Sequence, residues 1–156
     1  TEDITLNGQQ FGNTNIFSIS GINDIFKRIV SIEADDDATI AVFKSTVSIA
    51  GGTADTGGDS ALKKANVKYV RITNLDGSNS VNLSLQLDSD EDNSAANLSV
   101  THLLEAGKSF VMGVVDEAIH ADDDAAAIVT SLTDVESIVI DPGSNTGKIE
   151  LLIAST

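Results

Sequence analysis

The chain has 156 residues, a length typical of one domain that buries a core without a disulfide or metal staple. It has no cysteine, which excludes disulfides, thiolate metal sites and cysteine nucleophiles. Its net charge of -15 argues against binding nucleic acid or an anionic membrane, since each phosphate contact needs a cation. Isoleucine, valine and threonine make up roughly a quarter of the chain, and aspartate outnumbers glutamate, so the composition predicts strands joined by acidic turns.

Residues 1–14 are predicted to form an N-terminal arm or edge strand, and residues 15–156 a single β-sandwich domain. The acidic Thr1-Glu2-Asp3 start lacks the pattern of a secretion signal, so none is expected. Ile16, Phe17 and Ile19 indicate a strand over 15–20 that ends at Gly21.

The next segments mix clear and ambiguous patterns. Over 24–33 the isoleucines have helical spacing, but β-branching and the absence of a cap favour a strand. Residues 38–50 predict one bent strand or two short ones. The run 51–59 contains no apolar residue larger than alanine, so we expect a long, mobile, Gly-rich loop that either contacts a partner or is passive. Residues 60–65 allow one helical turn.

The clearest pattern is strict alternation over 81–87, where Val81, Leu83, Leu85 and Leu87 alternate with polar residues. Val70 and Ile72 alternate in the same way before a polar stretch that contains the Asp76-Gly77 pair. Alternating strands on either side of turn residues predict a β-hairpin with one buried and one solvated face.

The rest of the chain continues as short strands between turn signals. We predict strands within 98–104, 108–115, 135–140 and 149–153, with a helix around Leu103 and Leu104 as the alternative for one of them. Residues 116–127 are expected to be a loop or short helix, and 141–147 a loop. About eight short strands predict an all-β fold, an antiparallel β-sandwich or a jelly-roll-like barrel.

Two acidic patterns are candidates for calcium binding. Asp88, Asp90 and Asp92 stand at alternate positions, as at the start of a calcium loop. The sixth position is Asn93 and the twelfth is Ser99, which excludes a helix-loop-helix calcium site and leaves a looser Ca²⁺ loop or a solvated acidic turn. The run Ala-Asp-Asp-Asp-Ala occurs at both 34–38 and 121–125, which indicates two similar acidic turns or a duplicated half.

Catalytic patterns are weak. Neither His102 nor His120 lies in a nucleophile-base signature, and we expect both to be structural. The stretch 143–148 is one residue too short for a phosphate-binding loop and precedes a predicted strand. Paired carboxylates for glycoside hydrolysis would lack aromatic platforms, because the chain has one tyrosine and no tryptophan. We therefore expect no enzyme activity, no catalytic or cofactor-binding residues and no cofactor.

Two stretches carry a family resemblance. Tyr69 to Leu83 reads as a strand, Ile-Thr-Asn, a polar turn and a second strand, and Leu104 to Val111 reads Leu-Glu-Ala-Gly-Lys-Ser-Phe-Val. Together they resemble small virion structural proteins of tailed, especially marine, phages over about 45 residues. The resemblance implies a β-sandwich that serves as a capsid cement (decoration) protein or as a tail component, and it implies no catalytic residues.

The resemblance and the composition together lead to one functional expectation. The protein would stabilise a phage head from the capsid exterior by bridging major capsid protein subunits as a homotrimer, with no nucleic-acid or membrane partner. The arm 1–14 and the loop 51–59 would make its flexible contacts. The alternatives are a tail, fibre or adaptor component, and a loop-calcium carbohydrate-binding module.

Overall fold

The structure is a computed structural model that describes residues 5–10, 12, 14, 16–45, 62–87, 98–121 and 131–156. Within these ranges it contains eleven strands and one 3₁₀ turn, η1. They are β1 Thr5–Leu6, β2 Gln9–Gln10, β3 Asp24–Ile32, β4 Ala38–Lys44, β5 Leu62–Lys63, η1 Lys64–Asn66, β6 Val67–Asn74, β7 Val81–Leu87, β8 Ser99–Leu104, β9 Ser109–Met112, β10 Val135–Asp141 and β11 Gly147–Ser155. The prediction of an all-β fold is confirmed.

Two sheets pack face to face as a sandwich. The five-stranded sheet has the order β5-β4-β10-β7-β8, and the four-stranded sheet has the order β3-β11-β6-β9. All their pairs are antiparallel except the short β4–β5 contact, which is parallel. The β1–β2 pair is a separate hairpin whose turn residues Asn7 and Gly8 both have positive φ, the backbone that an Asn-Gly hairpin turn needs.

The core lies between the sheets and is almost wholly aliphatic. Strict alternation along β7 buries the four predicted apolar side chains from Val81 to Leu87. The central strands supply the most completely enclosed residues, among them Ile138 and Ile140 of β10 and Leu151 of β11. Most of the buried side chains are branched and aliphatic, so they fit the pleated surface and exclude water from the layer between the sheets.

The predicted hairpin between the Val70 and Val81 strands is wrong. β6 pairs with β11 and β9 in the four-stranded sheet, whereas β7 pairs with β10 and β8 in the other sheet. The loop 75–80 therefore crosses between layers. Alternation determines which face of a strand is buried, but both layers of a sandwich satisfy that condition equally, so it does not determine the sheet.

The crossing loop is held by one buried side chain, Asn74, at the end of β6. Its Nδ2 donates to the carbonyl of Asn79 at 2.8 Å and to that of Leu104 at 3.1 Å, and its Oδ1 accepts from the N–H of Asp76 at 3.0 Å. Leu104 belongs to β8 in the opposite sheet, so this amide links the two layers. The Asp76 carboxylate then accepts from the N–H groups of Ser78 and Asn79.

A second crossing, from β10 to β11, depends on a close approach. Pro142 and Gly147 are both buried where the loop 142–146 returns to the sheet. A Cβ on Gly147 would lie 3.0 Å from the Cβ of Pro142 and 3.6 Å from Cγ1 of Val81. Glycine is therefore required here by packing, while the positive φ of Gly143 favours glycine through its backbone conformation.

Other predictions have mixed outcomes. The strands expected within 24–33, 135–140 and 149–153 are present, and the loop at 141–147 is confirmed from 142 to 146, while residues 16–20 form no strand. The alternative helix at Leu103 is wrong, because β8 is extended there to pair with β7. The helical turn expected at 60–65 is a 3₁₀ turn at Lys64–Asn66. Of the one or two strands expected over 38–50, β4 is present, and residues 46–50 lie outside the described residues. So do the loop expected at 51–59, the acidic stretch with Asp88, Asp90 and Asp92, and residues 122–130.

Candidate assembly surface

The outer face of the four-stranded sheet exposes large apolar side chains. Ile25 of β3 is 62% exposed, Ile29 is 54% exposed and Val111 of β9 is 53% exposed. The register places Ile29 beside Glu150, and Leu152 between Lys27 and Arg71. Isoleucine on the solvated face of an antiparallel sheet is unusual, because polar residues normally alternate outward. We call this surface, formed by the outward residues of β3, β11, β6 and β9, the outer face.

A carboxylate flanked by two cations lies within the outer face. Glu150 Oε2 is 2.8 Å from Lys27 Nζ, and Glu150 Oε1 accepts from Arg71 Nη2 at 2.8 Å. The hydrogen bond from Lys27 lowers the pKa of Glu150 below its ordinary value of 4.5; desolvation opposes this, and Arg71 reinforces it. The three side chains link β3, β11 and β6 across the outer face.

Charge is unevenly divided between this sheet and the rest of the chain. The strands of the four-stranded sheet contain five of the nine lysines and arginines but only two of the 24 acids. The bases are Lys27, Arg28, Lys68, Arg71 and Lys148, and the acids are Asp24 and Glu150. These strands are therefore net positive in a chain of net charge -15, which favours contact with an acidic surface.

One edge of the sandwich is open beside the outer face. All nine residues of β3 pair with β11, and no described strand pairs with the other side of β3. A cavity of about 50 Å³ opens between the layers at this edge, lined by Phe26, Arg28, Thr39, Ile40, Ala41, Val42 and Leu62. An unpaired strand edge next to an apolar opening is a template for strand addition.

The segment 16–20 precedes this edge in the chain and is nearly bare. Ile16 is 85% exposed and Phe17 is 84% exposed. The segment has no strand pairing, and the chain joins the sheet at Asn23, whose N–H donates to the carbonyl of Ser155 at 2.9 Å. From here on we call residues 16–20 the arm, which is a different segment from the N-terminal arm predicted at residues 1–14. Exposing two neighbouring large apolar side chains to water costs free energy, which a partner that covers them would recover.

The structure describes only some of the residues that the sequence suggests for chemistry. Asp88, Asp90 and Asp92 lie outside the described residues, so the structure does not test their predicted Ca²⁺ site. Among the residues that are described, no three His, Asp or Glu side chains are grouped to hold a metal ion. His102 and His120 are both exposed, and the ring of His102 lies 5.7 Å from that of Phe110.

Two further sequence patterns, the stretch 143–148 and the acidic run at 34–38, have structural roles in loops. The stretch 143–148 leads into β11, a strand, where a phosphate-binding loop would lead into a helix. Asp35, from the first acidic run, has a positive φ of 62°, and its N–H donates to the carbonyl of Gly143 at 2.7 Å, which joins two loops. No described helix is long and apolar enough to cross a bilayer.

An ion pair links η1 to the segments that contain Asp134 and Glu117. Lys64 of η1 pairs with Asp134, which also accepts from the N–H of Glu117 at 2.7 Å. Desolvation raises the pKa of Asp134, but the Glu117 hydrogen bond and the Lys64 charge outweigh it, so the pKa lies below the ordinary 3.8. This carboxylate is structural, because its partners belong to the elements that it joins.

The residues of the outer face were not singled out by the sequence analysis. The signal was the apolar content of both sides of β3, where Phe26 and Val30 face inward and Ile25 and Ile29 face outward. That double-sided pattern is what made residues 24–33 ambiguous between strand and helix. A strand with isoleucines on both sides is expected to be covered twice, once by its own core and once by a partner.

No protein-family model matches the chain, and no curated protein matches it. A chain in a solved structure, reported as "Bacillus endospore appendages form a novel family of disulfide-linked pili", is similar to it at 14% identity with a TM-score of 0.37. The similarity covers 93% of this chain and 98% of that one. A likeness this weak carries no argument about function, and the present chain has no cysteine with which to form a disulfide link.

Proposed function

We propose that the protein is a structural component of a phage particle, a capsid cement (decoration) protein that binds the head from outside and bridges major capsid protein subunits. The observation that carries the proposal is the outer face, which exposes large apolar side chains on strands that are net positive. The sequence pattern over Tyr69–Val111 that resembles phage virion proteins supports the same role. In this proposal the protein acts by binding and performs no catalysis.

The chemistry of the outer face suits such a partner. Exposed Ile25, Ile29 and Val111 supply apolar area, and the cations around them favour an acidic shell surface. The acidic loops elsewhere would keep the protein soluble and away from nucleic acid.

The location is tested by counting copies in purified particles of the phage that encodes the protein. Quantitative mass spectrometry against the major capsid protein should give hundreds of copies per particle. A handful of copies would move the protein to the tail, fibre or adaptor position, and absence from the particle would refute a virion role altogether.

The binding surface is tested by two charge insertions of the same kind. Ile29→Lys places a charge in the outer face, and Leu132→Lys places it at another exposed position, where Leu132 is 46% exposed. Heads that lack the protein should bind the Leu132→Lys variant like the wild type, and the Ile29→Lys variant roughly tenfold more weakly. Equal binding by both variants would exclude the outer face as the contact.

The calcium-dependent binding module remains the alternative that a single measurement addresses. Melting curves with and without a chelator should coincide if the acidic loops are only solvated. A large fall in melting temperature on chelation would favour the module over the cement protein.

A further inference from the structure

The arm is short enough to lie as an added strand along the open edge of β3. The arm is an extended five-residue segment, about 16 Å long as a strand, and β3 is nine residues long, about 30 Å. Phe17 and Ile19 are two positions apart and so point to the same side of a strand, while Ile16 points to the other side. An added strand could therefore place two apolar side chains at the cavity and one on the outer face.

The groups that would receive these side chains are present at the edge. Phe26 and Val30 face the interior from β3 but are only partly buried, because no strand flanks them on the open side. Leu62 and Ile40 line the cavity from the opposite sheet. Phe17 at this opening would extend the core by one residue, and Ile16 would extend the apolar row of Ile25 and Ile29.

Charge determines which occupant fits. Two β3 edges could pair with each other, but each carries Lys27 and Arg28, so like charges would meet. The arm has no such conflict, because no charged residue occurs between Asp3 and Asp24. Its serines and carbonyl oxygens can accept hydrogen bonds from Arg28, which lines the cavity.

The arm does not occupy the edge of its own chain. It enters β3 directly through Gly21, Ile22 and Asn23, and the exposure of Ile16 and Phe17 shows that its own sandwich leaves them uncovered. We propose that the arm of one copy adds as a strand to the β3 edge of a second copy, with Phe17 and Ile19 covering the cavity. Repeated from copy to copy, this head-to-tail contact builds a closed ring if the rotation between copies closes, and an open filament if it does not.

The first test is the oligomeric state of the purified protein by sedimentation velocity. The wild type should associate, and the arm variant Ile16→Ser/Phe17→Ser should shift to monomer, with a dissociation constant raised at least roughly tenfold. Leu132→Ser, which removes an exposed leucine outside the proposed contact, should associate like the wild type. A monomeric wild type, or an arm variant that associates normally, would overturn the proposal.

The second test locates the contact and does not depend on affinity. Because the chain has no native cysteine, Phe17→Cys and Val30→Cys can be made as single-cysteine proteins with tags of different mass. Mixing them under oxidation should give a disulfide-linked heterodimer, whereas Leu132→Cys with Val30→Cys should not. Equal yields from the two mixtures would contradict the assigned contact. An internal disulfide in dilute Phe17→Cys/Val30→Cys would show that the arm folds onto its own edge, which also overturns the proposal.

This inference deepens the proposed structural role and rests on that role only for its setting. The two tests use the isolated protein and no capsid, whereas copy counting in virions requires no self-association. Failure of the association tests would therefore leave the cement role standing, and failure of the virion test would leave the strand exchange standing.

Discussion

Replacing Asn74 with alanine tests the view that one buried amide joins the two layers. Asn74 is fully buried, and the change removes its hydrogen bonds to the carbonyls of Asn79 and Leu104 and to the N–H of Asp76. The bond to Leu104 is buried, so that carbonyl loses a donor that water cannot easily replace, at a cost of about 1–3 kcal/mol. The other two bonds are partly accessible and add less. The expected loss is about 3 kcal/mol, a large part of the roughly 5–15 kcal/mol of a typical domain.

Urea unfolding followed by circular dichroism measures this loss. Asn82→Ala is the matched control, because Asn82 is exposed and the hydrogen bond that its side chain donates to Asp141 is 3.3 Å long and exposed to solvent. The control should stay within about 0.5 kcal/mol of the wild type. An Asn74→Ala protein that loses less than about 1 kcal/mol would show that backbone pairing and packing alone hold the crossing loop, and the reasoning would be wrong.

Three further substitutions probe packing and charge. Leu85→Asp should abolish the folded state in a thermal melt, because an unpaired buried carboxylate costs several kcal/mol, whereas Thr101→Asp on the exposed side of β8 should fold normally. Gly147→Ala should cost about 1–2 kcal/mol because a buried ring lies 3.0 Å from the new methyl group, and Gly77→Ala, which meets open space, should be close to neutral. The pKa of Asp134 is lowered in the folded state, so its charged form stabilises the fold above pH 3.8, the ordinary pKa, and this stabilisation is lost as the pH falls through the folded-state pKa. The difference in melting temperature between the wild type and Asp134→Asn should therefore shrink on acidification. A difference that does not change with pH would contradict the ion pair with Lys64.

The burial of individual side chains could be predicted from the sequence, but their partners could not. Alternation from Val81 to Leu87 determined a buried stripe, because a strand presents successive side chains to opposite faces. The choice of sheet depended on the six residues 75–80, a length compatible with both a hairpin and a crossing. What distinguishes the two is the tertiary bond from Asn74 to Leu104, thirty positions away, which no local pattern contains.

The candidate surface was harder to predict for a related reason. Periodicity analysis assumes that one side of a strand is solvated, and β3 violates that assumption with Ile25 and Ile29 on its outer side. The sequence predicts the strand correctly, but the outward isoleucines also match helical spacing and make the pattern ambiguous. The charged cluster of the outer face, Glu150 with Lys27 and Arg71, could not be predicted either. Its residues belong to three strands that are distant in the chain and adjacent only in the sheet.

The positions of β10 and β11 have a consequence for biosynthesis. β10 lies between β4 and β7, and β11 lies between β3 and β6, so residues 135–155 provide an interior strand to both sheets. Until residues 135–155 are synthesised, β3 lacks β11 and β4 lacks β10, so among the described strands neither layer can form in full. Apolar side chains of the other strands therefore stay exposed to chaperones until this segment is available.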